Sequence, residues 1–291
     1  MWIQLEIINM RLLIHINILL LLFLYSFQFA VSQNIYDYEH TEEYADYLFH
    51  SKDYKLAVQE FERLIFINPD NIEAKIKLVK SYRYLNQDSI ALQRFDDLFT
   101  NNDLQGIQQV SKEYINLLIN TNQYNKSQQY LSFQKTLSDE EEIIYRLFID
   151  LYSRKWENAN NVIVNNNALD NKYFDELIDI SNQAIQIKYK KPWLSGGLSA
   201  IIPGTGKIYS GYWKDGLVSL LFVGISSWQA YRGFEKNGVQ SIYGWIYGGV
   251  ALGFYTGNIY GSVKAVNKYN YTQDHNINHK VDKVFNDYID H

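Results

Sequence analysis

A repeat of about 34 residues runs through the first half of the chain, and it limits the fold more than any other feature. Short polar segments separate stretches of helical length. After each segment a small residue is followed four positions later by a large apolar one. The interval from position 57 to position 159 is 102 residues, which is three periods of 34. The four pairs are Ala57 and Phe61, Ala91 and Phe95, Ser127 and Leu131, and Ala159 and Ile163.

A helical hairpin cannot bury its apolar stripe alone, so hairpins that repeat in this way stack on one another. A small residue marks the place where two helices approach closely, because bulk there would push them apart. The pattern therefore predicts an all-α fold in which helix pairs stack over residues 33–190. A final helix over about 171–188 is expected to cap the stack with Phe174, Leu177, Ile178 and Ile185.

The first unit, from Thr41 to Asn71, resembles the tetratricopeptide repeat family best among the four. Later units depart from the family pattern, since Ser127 replaces alanine and no terminal proline follows. The resemblance implies an α-solenoid that binds a protein or peptide in its concave groove. The residues that carry it are Ala45 in the first helix, Tyr54, Ala57 and Phe61 in the second, and Pro69 after it.

A secretory signal is predicted over residues 1–32. Ile14–Phe29 is nearly all apolar, Arg11 precedes it, and Ala30–Ser32 provides the small residues for cleavage after Ser32. The first nine residues carry Glu6 and no positive charge, so a start at Met10 would give a more normal signal. A retained anchor is the alternative, although the apolar run is shorter than the ~20 residues of a spanning helix. Either way we expect the repeats outside the cytoplasm.

The character of the chain changes at the basic segment 188–193, where the polar repeats end. Residues 192–206, 216–231 and 237–263 then carry no charged side chain. The last stretch is long enough to cross a hydrocarbon core of roughly 30 Å as a helix. The sequence therefore predicts a transmembrane helical hairpin over residues 191–266. A polar tail over 267–291 follows, ending in a short amphipathic helix with Val281, Val284, Phe285, Tyr288 and Ile289.

Gly249, Gly253, Gly257 and Gly261 recur every four residues in the second predicted span, on one face of the helix. Such a stripe lets another backbone come close, which is how helices pack in lipid. In a water-exposed helix each glycine would cost about 1 kcal/mol. We therefore expect the stripe to pack against the first span or against a second copy of the chain.

A proline-glycine segment precedes the first predicted span. It resembles the Pro-Gly-x-Gly-x-x-Tyr-x-Gly stretch of small two-transmembrane-domain proteins. Over about 191–266 the chain is similar to uncharacterised Bacteroidetes-type envelope proteins that join repeats to such a hairpin. The Asp-Arg-Phe triplet of that family is absent, and Arg232-Gly-Phe234 is its nearest counterpart. The resemblance implies a rigid turn at a membrane surface with aromatic anchors at headgroup depth. Its residues are Pro203, Gly204, Gly206, Tyr209, Gly211 and Trp213.

Several functions are disfavoured. A net charge of −5 leaves no basic excess for nucleic acid, and the absence of cysteine removes thiolate metal sites and cysteine nucleophiles. Gly206-Lys207 lacks the first glycine and the hydroxyl residue of a phosphate loop. The acidic run Ser138–Glu141 has the spacing of a helix capping box. His275 and His279 stand four apart without the glutamate of a zinc-protease helix.

Together these features predict a non-enzymatic, membrane-tethered scaffold without cofactor or metal. The expected partners are a protein or peptide in the repeat groove and the lipid bilayer, and nucleic acid is not among them. The expected location is the cell envelope, in the inner membrane with the repeats in the periplasm, and the outer membrane stays open. The alternative is an oligomeric transport or pore component assembled through the glycine-lined helix.

Overall fold

The computed structural model describes residues 15–21, 37–166 and 168–290. These ranges are helical with short connections and contain no strand, which confirms the all-α prediction for the described chain. Residues 15–21 form a helix. The rest of the predicted signal, including Met10 and the cleavage position after Ser32, lies outside the described residues.

The chain divides into two compact units, Met1–Thr100 and Asn101–His291. The first unit holds two helix pairs around a core that includes Ala45, Ala57, Phe61 and Leu78. Side chains of Asp37, Asp53 and Asn71 cap three of the helix N-termini. The four helices are α1 (Tyr38–His50), α2 (Tyr54–Ile67), α3 (Ile72–Tyr84) and α4 (Asp88–Leu98).

The second unit begins with a short helix and two further helix pairs, and it continues into the hairpin. The boundary expected between residues 190 and 191 therefore lies inside this unit. Its helices are α5 (Asn101–Gly106), α6 (Gln108–Asn120), α7 (Tyr124–Phe133), α8 (Asp139–Tyr152), α9 (Trp156–Asn165), α10 (Lys172–Ile185), α11 (Pro192–Ile201), α12 (Thr205–Tyr209), α13 (Trp213–Asn237) and α14 (Ile242–Asp290), with a 3₁₀ turn at Gly238–Gln240 before α14.

The polar segments of the repeat form the same turn four times. Each contains one residue in the left-handed region, at Lys52, Asn86, Asn122 and Arg154, with φ of 65°, 57°, 58° and 58°. In each turn the next backbone N–H donates to the carbonyl five residues back, as from Asp53 to Leu48 at 2.9 Å. This bond is typical of the Schellman motif, which satisfies the last carbonyls of a helix. The repeat in the sequence is thus a repeat of helix endings.

Helix α14 is the largest departure from the sequence-based expectation. It is one continuous helix of 49 residues, so the predicted hairpin segment and the predicted polar tail belong to the same element. At 1.5 Å per residue it is about 73 Å long. Its first half packs against α13, and its last half lies against α8 and α10.

The second half of α14 completes the core of the second unit. Val281 and Phe285 are buried among residues of α8 and α10, and the Phe285 ring lies 5.0 Å from that of Phe148. Helix α10 was expected to cap the stack, and Phe174 and Leu177 of the predicted set lie on its buried face. Ile178 is half-buried against this core and Ile185 is exposed, and the C-terminal half of α14 shares the covering role.

Helices α11 to α14 occupy the region predicted as a hairpin, but in the described part of the chain no helix combines the length and apolar character needed to cross a membrane.

Candidate functional site: the helical hairpin and its turn

The contact between α13 and α14 is made by small residues. On α13 the buried positions are Gly216, Val223, Ser226, Ala230 and Gly233. The buried positions on this part of α14 are Gly244, Ala251, Asn258 and Ser262, and the first three recur every seven residues. A seven-residue recurrence keeps one face toward the partner helix, as in coiled coils. We call these nine residues the seam, and three of them, Gly216, Asn258 and Ser262, also contact α11, α12 or the turn between those helices.

The two backbones approach closely along the seam. A Cβ placed on Gly233 would lie 2.7 Å from the Cα of Gly244. A Cβ placed on Gly244 would lie 2.8 Å from Cδ1 of Phe234. Side chains larger than hydrogen therefore cannot be accommodated at either position unless the helices move apart.

The outward faces of the hairpin carry the large apolar side chains. Leu221 and Trp228 of α13 are 59% and 58% exposed, and Trp245 and Leu252 of α14 are 64% and 63% exposed. This arrangement inverts that of a water-soluble helical pair, which buries bulk and exposes polar groups. Contiguous apolar surface of this kind marks a place of interaction with a membrane or a partner.

The predicted glycine stripe lies on a different face from the seam. No described atom comes within 4 Å of a Cβ placed on Gly249, Gly253 or Gly257. A Cβ on Gly261 would meet Cε of Lys207 at 3.3 Å. The first span is therefore the wrong partner for the stripe, and contact with a second copy stays a prediction.

The proline-glycine segment forms a tight turn between α11 and α13. Gly204 and Gly211 have φ of +92° and +97°, which side chains rarely tolerate. A Cβ on Gly204 would lie 2.0 Å from the carbonyl oxygen of Gly216, and one on Gly206 would lie 2.0 Å from that of Ser195. The glycines of the motif are thus required by backbone conformation and by close approach.

A buried polar network fastens this turn to α14. The Asn258 side chain accepts a hydrogen bond from the Gly204 N–H at 3.0 Å and donates to the Ser199 carbonyl at 3.3 Å. The Ser199 hydroxyl accepts from the Gly206 N–H at 2.9 Å and lies 2.7 Å from the Ser262 hydroxyl. Ser262 in turn donates to the Asn258 carbonyl at 2.8 Å. Satisfied buried networks of this kind fix a unique packing arrangement.

The remaining residues of the predicted turn border this network. Pro203 is half-buried beside Gly204. The Tyr209 hydroxyl accepts from the Lys191 N–H at 3.3 Å, and Trp213 at the start of α13 is 55% exposed. The serine hydroxyls of the network bond to backbone and to one another, so they are arranged for packing and not as activated nucleophiles.

The residues predicted for repeat packing lie mainly in the interior. Tyr54 is half-buried and stacks on Tyr84 with ring centres 4.7 Å apart, Ile163 is half-buried, and Pro69 is exposed. Fully buried, with at most 2% of their surface accessible, are Ala45, Ala57, Phe61, Ala91, Phe95, Ser127, Leu131 and Ala159. These residues support the helix pairs and are not available to a ligand.

Two acidic groups in α8 have distinct roles. Ser138 and Glu141 form the capping box that their spacing predicts. Burial would raise the pKa of Glu141, but the Lys112 ammonium and the Ser138 N–H lower it below its usual value. Burial raises the pKa of Asp150 against the opposing effect of Lys155 and Arg146, and its Oδ1 has no hydrogen-bond partner among the described residues.

Sequence reasoning missed the seam and the serine network. The signal for the seam was the seven-residue spacing of Gly244, Ala251 and Asn258. The four-residue glycine spacing on the same helix is more conspicuous and concealed it. Nothing in the sequence pairs Ser199 with Ser262, because the two residues are 63 positions apart.

Comparison of the chain with protein-family models, curated proteins and solved structures finds no match.

Proposed function

We propose that this chain is a membrane-tethered scaffold of the bacterial cell envelope. Helices α13 and α14 enter the lipid as a pair, and the tetratricopeptide-like helix pairs present a surface to a protein or peptide partner. The observation that carries the proposal is the inverted hairpin, with a seam of small residues inside and large apolar side chains outside. Lipid is the environment in which such a pair is stable, because tails solvate the outer faces while close backbone packing holds the helices together.

The positions of the charged residues support this assignment. The chain has no charged side chain between Asp215 and Arg232, or between Lys236 and Lys264. Measured from Asp215 to Arg232, α13 spans about 26 Å at 1.5 Å per residue. From Ile242 to Lys264, α14 spans about 33 Å. Both lengths are close to a hydrocarbon thickness of roughly 30 Å, so it is the apolar character of these two helices, and not their length, that falls below that of an ordinary spanning helix.

The surface proposed for a partner lies in the first unit. In the second unit the C-terminal half of α14 covers α8 and α10, so that face is already filled. In the first unit α1 exposes Tyr44 and Tyr47, at 48% and 67%. Exposed tyrosines are enriched where proteins bind each other, since they provide contact area at low entropic cost.

Vesicle flotation tests the lipid part of the proposal. The full chain is expected to float with phosphatidylcholine vesicles. The Leu221→Glu, Leu252→Glu variant should not, because each carboxylate at membrane depth costs about 3 kcal/mol. The matched control is Phe66→Glu, Phe133→Glu, which changes two apolar residues of the repeats that are 87% and 72% exposed. Flotation of the first variant as efficiently as the control would contradict insertion of the hairpin.

Site-directed photocrosslinking tests the partner surface. A benzophenone side chain at Tyr47 is expected to form a reproducible adduct with a foreign envelope protein, and one at Phe66 on α2 should not. Adducts only between copies of the chain would contradict the scaffold and favour the alternative.

Protease treatment of spheroplasts tests the location, because repeats in the periplasm are expected to be cleaved while the inner membrane is intact.

The second candidate is an oligomeric transport or pore component assembled through the glycine stripe. It is favoured by one observation, the lack of any described contact at Gly249, Gly253 and Gly257. The chain has no cysteine, so Gly253→Cys introduces a unique thiol. Under mild oxidation in membranes this candidate requires a disulfide-linked dimer, and the matched Gly197→Cys variant should give none.

A further inference from the structure

A group of basic residues surrounds one end of the hairpin, where α11, α12, α13 and α14 meet the rest of the second unit. Two of these residues come from the segment before α11, two from α12 and the start of α13, and two from one turn of α14. We call this group the collar: Lys190, Lys191, Lys207, Lys214, Lys264 and Lys268.

The collar lysines are interleaved with aromatic rings. The Lys190 ammonium lies 4.0 Å from the ring centre of Tyr269 and 5.7 Å from that of Tyr209. Lys264, Lys268 and Lys214 lie 5.4, 5.9 and 5.7 Å from the ring centres of Tyr260, Tyr212 and Trp213, respectively. Lys207 passes Gly261 of α14 and donates to the Ser219 hydroxyl of α13 at 2.8 Å. Aromatic contact of this kind holds an ammonium group without neutralising its charge.

The collar is not balanced by acidic side chains. Within the described part of the chain, none of its six lysines forms an ion pair with a carboxylate, whereas lysines of the repeats such as Lys77 and Lys112 do. Asp215 is the only acidic residue between positions 188 and 234, and none occurs from 236 to 273. A chain with a net charge of −5 thus concentrates uncompensated positive charge at one end of an apolar surface.

We propose that the collar binds the anionic headgroups of a phospholipid bilayer. The collar lies where the charge-free stretches of α13 and α14 end, which is the level of the headgroups if the hairpin is in lipid. Lys264 and Lys268 are one helical turn apart, about 6 Å along the axis. A headgroup layer is roughly 5 to 7 Å thick on each side of the bilayer. Lysine stems and aromatic rings are suited to this depth because both have an apolar body and a polar end.

This inference deepens the proposed function and rests on it. A lipid surface is favoured over an acidic protein because the collar lysines flank the uncharged stretches 192–206, 216–231 and 237–263, where the apolar surface ends. Each lysine near an anionic surface strengthens binding by about fivefold. The preference for anionic lipid should weaken as ionic strength rises, since the Debye length shortens.

Tryptophan quenching by brominated lipids measures the preference directly. The full chain is reconstituted in phosphatidylcholine vesicles with Trp213 as its sole tryptophan, and brominated phosphatidylglycerol or brominated phosphatidylcholine is added at matched fractions. We expect brominated phosphatidylglycerol to quench Trp213 at much lower fractions. Replacing three collar lysines, in Lys191→Gln, Lys264→Gln, Lys268→Gln, should raise the fraction needed on the order of a hundredfold. A variant with the same charge change in the repeats and α14 end, Lys55→Gln, Lys135→Gln, Lys283→Gln, should behave as the parent.

The outcomes separate the two proposals. Equal quenching of Trp213 by both brominated lipids, or an unchanged preference in the collar variant, overturns the collar while leaving the hairpin in lipid. Absence of quenching by either lipid, both for Trp213 and for a second reporter that retains only Trp228, overturns the proposed membrane association itself. A preference for brominated phosphatidylglycerol that is abolished by poly-glutamate at constant ionic strength would overturn the lipid assignment and assign the collar to an acidic protein instead.

Discussion

Replacement of Phe285 by alanine tests whether the C-terminal half of α14 belongs to the core of the repeats. The side chain is 2% exposed, and its ring lies 5.0 Å from that of Phe148 and 5.9 Å from that of Tyr152. Removing a phenylalanine from a close-packed interior costs about 3 to 5 kcal/mol, from lost transfer energy and the cavity that remains. Because α14 covers α10, the same loss should appear in the local stability of α10.

Hydrogen–deuterium exchange of the full chain in detergent measures this effect without requiring global two-state unfolding. Peptides from Lys172–Ile185 and from the end of α14 should exchange at least roughly a hundredfold faster in Phe285→Ala, since 1.36 kcal/mol corresponds to a factor of about ten. Peptides from α13 should be unchanged. Asn286→Ala is the control, because Asn286 is exposed and such changes usually cost less than about 0.5 kcal/mol. Equal exchange of α10 in both variants would show that α14 does not stabilise it.

Three further changes have defined expected outcomes. Gly206→Ala should lower the thermal midpoint in detergent by the equivalent of about 2 kcal/mol or more, because its Cβ would meet a backbone oxygen, whereas Gly197→Ala, which has no described atom within 4 Å, should be neutral or stabilising. Asp150→Asn should stabilise the chain at neutral pH. Because the pKa of Asp150 is raised in the folded chain, its carboxyl contributes stability below the unfolded pKa, and this contribution is lost as pH rises through the folded pKa. The stability gained by Asp150→Asn should therefore vanish in acid and appear as pH rises in denaturant titrations. Lys52→Gly should raise stability by about 1 kcal/mol, because its φ of 65° suits glycine, and the same change at Asn86 should give less.

The helices of the repeat could be predicted because their signals are local. Apolar spacing, the capping box at Ser138 and the polar segments before Tyr54 and Tyr124 each act within a few residues of chain. The sequence indicated the positions of the turns but not their geometry, because lysine and arginine, which occupy the left-handed positions at Lys52 and Arg154, rarely adopt that conformation. Local physics thus fixes where helices begin and end, and tertiary packing then holds the less favourable turn residues in place.

The choice of contacting faces could not be predicted in the same way. Helix α14 carries two faces of small residues, one through Gly244 and Ala251 and another through Gly249 and Gly253. Periodicity identifies both faces, but only the partner helix decides which one is buried. The polar composition after Val266 likewise suggested a separate tail, because the sequence does not show that the helix of the predicted hairpin continues through the polar segment.

The continuity of α14 changes what a tether at this position can do. A flexible connection after residue 266 would let the repeats of the second unit swing about the hairpin. Instead, the segment before α11 and helix α14 run side by side at the collar and are hydrogen-bonded to each other. Asn270 accepts from the Lys190 N–H at 2.9 Å and donates to the Lys190 carbonyl at 2.8 Å. One turn further along α14, the Tyr189 hydroxyl donates to Asp274 at 2.5 Å, and Arg154 of the repeat turn pairs with the same carboxylate at 2.9 Å. An uninterrupted helix resists bending, and these bonds oppose rotation of α14 relative to the segment before α11 and to the turn at Arg154. If the hairpin enters lipid as proposed, it therefore sets the orientation of α8 and α10 as well as their distance from the membrane surface.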